Sequence, residues 1–270
     1  MGRHVMEALG KARVVIEDGQ VVEVGEPEVT YCPLFFKHRG IERITKEIVR
    51  ENMEFRIRDF GMCTPERRLR MKDFLSFGVS ELMGMALSKG LLDCVVIVCE
   101  GAGTVLVTDP TLAQGIGGRV SGIMETSPIE EIIDGIGRDM VLDPKTAKID
   151  QVAGALMAKQ MGFDRIGISI ASAEDAQVIR NMLGERAVIF AVHTTGLKEK
   201  DVAALFKNAD IITACASKYV RQTGDGNCRR VGSKVPIYAV SDEGEAILEA
   251  RLSQMKDFKE GTEDPPRPLI

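Results

Sequence analysis

No long hydrophobic run occurs in this chain. Its most apolar short stretch, residues 94–99 (CVVIVC), is far too short to cross a bilayer and reads as a buried strand. The N-terminal MGRHVMEALGKARVV lacks the continuous apolar segment and small-residue cleavage site of an export signal, so the expected compartment is the cytoplasm. Positive charge is not in excess: 35 Lys and Arg against 40 Asp and Glu leave a net charge of −5. Nucleic acid is therefore a poor default partner, although the local run of Arg67, Arg68, Arg70 and Lys72 suits a small anion. The six cysteines show no C-x-x-C or similar close spacing. In a reducing compartment such cysteines read as buried thiols, metal ligands or reactive groups rather than structural disulfides.

What is present is ordinary globular composition, 44% hydrophobic and 28% charged, which excludes wholesale disorder. A length of 270 residues is enough for one large α/β domain or for a core with a smaller appendage. In RVVIEDGQVVEVG, apolar-rich runs flank Asp18-Gly19, a pair suited to a type I′ turn, so a β-hairpin is expected near the start. Helices are expected over 41–58 and 65–89, the second with Thr64 as N-cap and Pro65 at its first position. Residues 1–90 thus read as a hairpin-plus-helix subdomain.

From residue 91 short β-branched runs alternate with helical segments, the pattern of a parallel α/β sheet. Strands are expected over 93–99, 165–171, 186–192, 210–216 and 235–241. Between them, Ser172 and Asp175 form an S-x-x-D capping signature, and the final helix starts near Ser241. The expected fold is α/β, a mostly parallel Rossmann-like sheet flanked by helices, with 91–258 as core and 259–270 as a disordered, Pro-rich tail. Residues 101–143 form a less regular insertion, with a Gly-rich segment and a short helix over 128–136.

In an open parallel sheet, ligands bind outside the carboxyl ends of the strands. The residues found there are Cys99 and Gly101 after the first strand, Ser172 after the second, His193, Thr194 and Thr195 after the third, and Cys215, Ser217 and Lys218 after the fourth. Cys99, His193, Cys215 and Lys218 are the candidate catalytic groups. A structural alternative stands beside this one, since small polar residues cap helices at such positions without any ligand. Cys99 and Cys215, which come near each other if their strands are close neighbours, with His193 as a third donor and Cys32 and Cys63 from the subdomain, are candidate ligands of a soft metal or an iron–sulfur cluster. Cys63 precedes Thr64-Pro65, so a helix N-terminus and nearby arginines are expected to activate its thiol. Gly117, Gly118 and Arg119 offer backbone N–H groups and a guanidinium to a phosphate or carboxylate, although the segment matches neither the P-loop nor G-x-G-x-x-G after a strand.

Together, YCPLFFKHRG, FGMCTPERRLRMKDF, VIVCEGAGTV, QGIGGRVSG, AVHTTG and ACASKYVR resemble the motif set of the methanogenesis marker 8 family, over nearly the whole chain except the tail. The resemblance implies a role tied to methane metabolism without assigning an activity. It draws attention to Cys32, Cys63, Cys99, Gly101, Gly117, Arg119, His193, Thr195, Cys215, Ser217 and Lys218. Two readings follow. One is an accessory or biosynthetic factor handling a metal, cluster or sulfur species for methyl-coenzyme M reductase, its assembly factors or a cofactor. The other is a metal-free small-molecule enzyme or binding protein that recognises an anionic ligand. A third, an interaction platform, would carry a large exposed apolar patch. A homodimer is a reasonable expectation for such a sheet.

Overall fold

The computed structural model describes residues 2–72, 77–118, 122–232, 235–255 and 264–270. The N-terminal part forms β1 (Arg3–Glu7), β2 (Arg13–Glu17), β3 (Gln20–Val24), α1 (Pro33–Arg39), α2 (Lys46–Phe60) and α3 (Val79–Ser88). Then come β4 (Cys94–Cys99), β5 (Gly103–Val107), α4 (Pro110–Gly117), β6 (Gly122–Thr126), α5 (Glu130–Ile136) and α6 (Gln151–Gln160). The remainder is β7 (Ile166–Ile170), α7 (Ala173–Leu183), β8 (Ala187–Ala191), α8 (Glu199–Asn208), β9 (Ile211–Thr213), α9 (Lys218–Gly224), β10 (Arg229–Val231), β11 (Ile237–Ala239) and α10 (Asp242–Leu252).

The hairpin is β2–β3, and Asp18 and Gly19 both take the positive φ, 50° and 76°, that a type I′ turn requires. It belongs to a four-stranded antiparallel sheet of order β3-β2-β1-β6. Strand β6 comes from within 91–258, so the chain crosses the expected boundary at residue 90 to complete this sheet. One face carries Met6, Val14, Ile16 and Val21, which pack with Val49 and Met53 of α2.

The second sheet has seven strands in the order β10-β11-β9-β8-β7-β4-β5. It is mixed rather than mostly parallel: β4, β7, β8 and β9 run parallel, while β5, β11 and β10 join antiparallel. The expected strand over 235–241 forms as β11, but antiparallel to β9, because the chain between them holds only the short α9 and β10. Both faces are covered, which is why these strands read as continuous apolar runs rather than alternating ones. Val96, Ile168 and Ile189 meet α6, α7 and α8 through Ala155, Ile179 and Leu205. On the other face Val95, Ile97 and Phe190 meet Leu82 of α3, Ile116 of α4 and Leu248 of α10.

The helix expected from Pro65 does not begin there. Thr64 Oγ1 accepts the Glu66 N–H in a tight turn, and residues 67–72 run on without helical structure. The reason is Arg67, whose side chain is drawn into the interior, as described below; a helix through this stretch would turn it to solvent. Of the expected disordered tail, residues 264–270 are described, and they are hydrogen-bonded to both halves of the protein.

Candidate functional site

The four-stranded sheet caps the carboxyl edge of the larger one, with β6 lying across it. At one end of β6, Thr126 Oγ1 accepts the Gly101 N–H at 2.7 Å, just beyond β4. At the other, a Cβ placed on Gly122 would stand 3.3 Å from His193 Nδ1, just beyond β8. Four residue steps of strand separate the two points by roughly 13 Å. Two of the strand ends singled out from sequence, those of β4 and β8, therefore lie against β6, in two different environments.

The β4 end is closed. The Arg67 and Glu100 side chains are ion-paired through Nε and Oε1, each with 0% exposure. The remaining guanidinium N–H groups donate to main-chain oxygens, Arg68 at 2.6 Å and Gly115 at 3.0 Å. Burial works against the Arg67 charge, but the Glu100 carboxylate outweighs it and holds the guanidinium pKa above its ordinary value. A Cβ on Gly115 would come within 1.8 Å of the Leu69 carbonyl oxygen, so only glycine lets the Arg67 strand of chain lie on α4. The Cys99 thiol donates to the Glu100 carbonyl at 3.3 Å. Burial and then the Glu100 carboxylate push the Cys63 and Cys99 thiols well above the ordinary range, with Arg67 opposing. This corrects the expectation for Cys63: no helix starts beside it, and its thiol is held protonated rather than activated.

His4 completes this end. Its Nδ1 is 2.7 Å from Thr126 Oγ1, its Nε2 is buried with no protein partner, and burial lowers its pKa despite Glu100. Glu81, bonded by Gln114 Nε2 at 2.9 Å and Ser80 Oγ at 2.9 Å, adds a further buried polar group.

The β8–β9 end is a recess. His193 has φ of 54°, a left-handed conformation uncommon among non-glycine residues. Its ring is exposed, yet surrounding protein desolvates it and lowers its pKa. Cys215 is likewise exposed, and its thiol is pushed up to about 11 by desolvation and then by Cys32. Both side chains are thus reachable from outside while other protein groups crowd around them. Thr194 Oγ1 donates to the Thr213 carbonyl at 2.6 Å and Thr195 Oγ1 accepts the Ala216 N–H at 3.2 Å, stapling the two strand-end loops together. Arg221 donates to the Cys215 carbonyl at 3.0 and 2.7 Å. Ser217 is buried and its Oγ has no protein partner. Lys218, exposed, opens α9.

Two residues that the sequence reading missed belong here. A Cβ on Gly122 would also meet the Glu7 Cβ at 3.4 Å, and Glu7 is half-buried, with its carboxyl pKa raised by desolvation. Lys11 Nζ lies 2.8 Å from where a Gly196 Cβ would stand, and pairs with Glu28 at 3.2 Å. Both come from the strand and turn that precede the recognisable hairpin, where no motif marks them.

The other candidates fall elsewhere. Ser172 caps α7, accepting the Asp175 N–H at 3.1 Å. Gly117 ends α4 against Ser80, Gly118 follows it, and Arg119 lies outside the described residues. Cys32 takes the N-cap position of α1 and is nearly buried. Among the described residues no group of three or more His, Cys, Asp or Glu side chains is arranged to hold a metal ion, so the expected four-cysteine ligand set is not assembled. No helix among them is long and apolar enough to cross a membrane.

Fold and site define a mixed α/β protein in which a smaller antiparallel sheet meets the carboxyl edge of the larger one. The chain belongs to a family of uncharacterised proteins conserved in archaea, whose model matches residues 4–253. It is similar to an uncharacterised protein of Methanocaldococcus jannaschii, 43% identical over 283 residues that cover 100% of both chains. No solved structure matches the chain.

Proposed function

We propose that this protein is a small-molecule enzyme that takes a carboxylate- or phosphate-bearing ligand in the recess beyond β8 and β9, with His193 carrying a proton to or from it. The observation that carries this reading is His193 itself, held in a constrained backbone conformation and exposed inside a recess that keeps its imidazole neutral. A neutral imidazole at neutral pH is a proton acceptor, which is what general-base chemistry needs. Glu7, beside the same glycine, is the second titratable group, and Lys218, exposed at the start of α9, supplies positive charge. The parallel run β4-β7-β8-β9, with α6, α7 and α8 on one face, supports a Rossmann-like reading of the core and a ligand at its carboxyl edge.

The motif resemblance to the methanogenesis marker 8 family supports placing this step among the accessory or cofactor-biosynthetic reactions around methyl-coenzyme M reductase.

The test is thermal stability of the protein against a panel of phosphorylated and carboxylated metabolites. A ligand at a hundred times its Kd adds about 2.7 kcal/mol, several degrees in Tm for a chain of this size. Lys218→Ala should lose that shift, whereas His193→Gln should keep it and lose turnover. A panel that shifts wild type and both variants alike would refute the recess as the site.

A further inference from the structure

Residues 264–270, DPPRPLI, are seated across the cleft rather than along one half of it. The Thr30 and Tyr31 N–H groups both donate to the Arg267 carbonyl, at 2.8 and 3.0 Å, and the Arg267 N–H donates back to Tyr31 at 3.1 Å. The Arg267 guanidinium stacks on the Tyr31 ring, 4.6 Å from its centroid. Three residues on, the Gly196 and Lys218 N–H groups donate to the Ile270 main-chain oxygen at 3.3 and 2.9 Å, and the Ile270 N–H donates to Ala216 at 2.9 Å. One short segment thus ties the turn before Cys32, in the N-terminal layer, to the loops that carry His193 and Cys215.

The seat is made of main-chain hydrogen bonds plus one stacked arginine, and within the segment Pro266 is buried while Asp264, Arg267 and Pro268 are exposed. Three prolines in seven residues restrict the unbound segment to extended conformations, so little entropy is lost when it docks. What opposes release is confined to these hydrogen bonds, the stacked Arg267 and the buried Pro266. The segment joins two layers at the mouth of the recess and has the physics of a reversible peptide contact.

We propose that residues 264–270 are a detachable clasp that sets how tightly the N-terminal layer closes over the His193 recess, a regulation that rests on the reading of that recess as the ligand site. Release frees the Thr30, Tyr31, Gly196 and Lys218 N–H groups together and unties the Ala216 main chain, next to Cys215, from Ile270.

The test needs no ligand, so it fails or succeeds independently of the metabolite screen. Each cysteine of the full-length protein is followed by mass spectrometry during alkylation with iodoacetamide at pH 8, in wild type, Pro266→Asp and Arg267→Ala. Cys215 has its pKa held at about 11 against an ordinary 9.0. Untying the Ala216 loop from Ile270 should raise alkylation at the neighbouring Cys215 several-fold in Pro266→Asp and by a smaller factor in Arg267→Ala. Cys94, fully buried in mid-strand, is the internal control and should not change. An unchanged rate at Cys215 in both variants overturns the clasp. So does a rise at Cys94 in step with Cys215, which would make the segment part of the global fold. If Pro266→Asp does not fold, Arg267→Ala decides alone.

Discussion

At the β4 end of the cleft, every charge is spent on the protein itself: Glu100 on Arg67, and the rest of the guanidinium on the main chain of residues 68 and 115. At the β8–β9 end, His193, Cys215 and Lys218 are exposed, and the hydrogen bonds around them come from Thr194, Thr195, Arg221 and the main chain. Two sets of strand ends that look alike in sequence have therefore become opposite environments. A buried pair locks geometry because separating it would strand a charge in a medium of low dielectric constant, whereas a recess keeps its polar groups available. The lesson is that a charged residue at a strand end announces function only when its partners are known.

The contrast can be broken most forcefully at Glu100. Glu100→Gln leaves Arg67 buried without a counter-charge and should cost about 3–5 kcal/mol, read as a lower denaturation midpoint. An effect below about 1 kcal/mol would mean that water reaches this end and that the two environments are not distinct. Next is Gly115→Ala, whose Cβ meets the Leu69 carbonyl. Overpacking there should cost about 1–3 kcal/mol by lifting the Arg67 segment off α4. Cys63 and Cys99 alkylation rates in the native state should rise with it.

Ser172→Ala should cost about 1 kcal/mol through the lost α7 cap and leave ligand-induced stabilisation unchanged, which separates a cap from a recess residue. The smallest effect on stability belongs to His193→Gln, within about 0.5 kcal/mol at neutral pH. Its mark is the pH dependence. Burial lowers the folded pKa of both His193 and His4 below the ordinary 6.5. As pH falls, the unfolded chain therefore takes up protons first, and stability declines from about 6.5 downward until the folded values are reached, with no histidine contribution above neutrality. Removing His193 should make that acid decline shallower. An unaltered slope in chemical denaturation series would show that its ring is as well solvated folded as unfolded.

Much of the architecture was legible locally. The Asp18-Gly19 hairpin, the helices capped by Ser172 and Ser241, and the five apolar strand runs all follow from short-range chemistry, and β2–β3, α7, α10, β4, β7, β8, β9 and β11 form where it places them. The insertion over 101–143 was legible only as irregular, because β5 turns straight back on β4 and β6 finds its partner, β1, more than a hundred residues away in the chain. Thr64-Pro65 carries every local mark of a helix start, yet the turn it forms serves a tertiary need, the path of Arg67 to Glu100. Of the candidate site, the strand-end residues were readable because a parallel sheet must end in loops. His4, Glu7 and Lys11 were not, since their places depend on a strand that reaches the cleft only by pairing with β6.

By itself, then, the sequence determined the local elements, the apolar faces of the larger sheet and the identity of the polar residues at its carboxyl edge, because these depend on neighbours a few positions away. Only the tertiary structure decided which of those residues became dry and which stayed wet, and that residues 264–270 would bridge the two layers. Burial and charge pairing depend on what the other layer brings to the cleft, and that layer is assembled from strands more than a hundred residues apart in the chain.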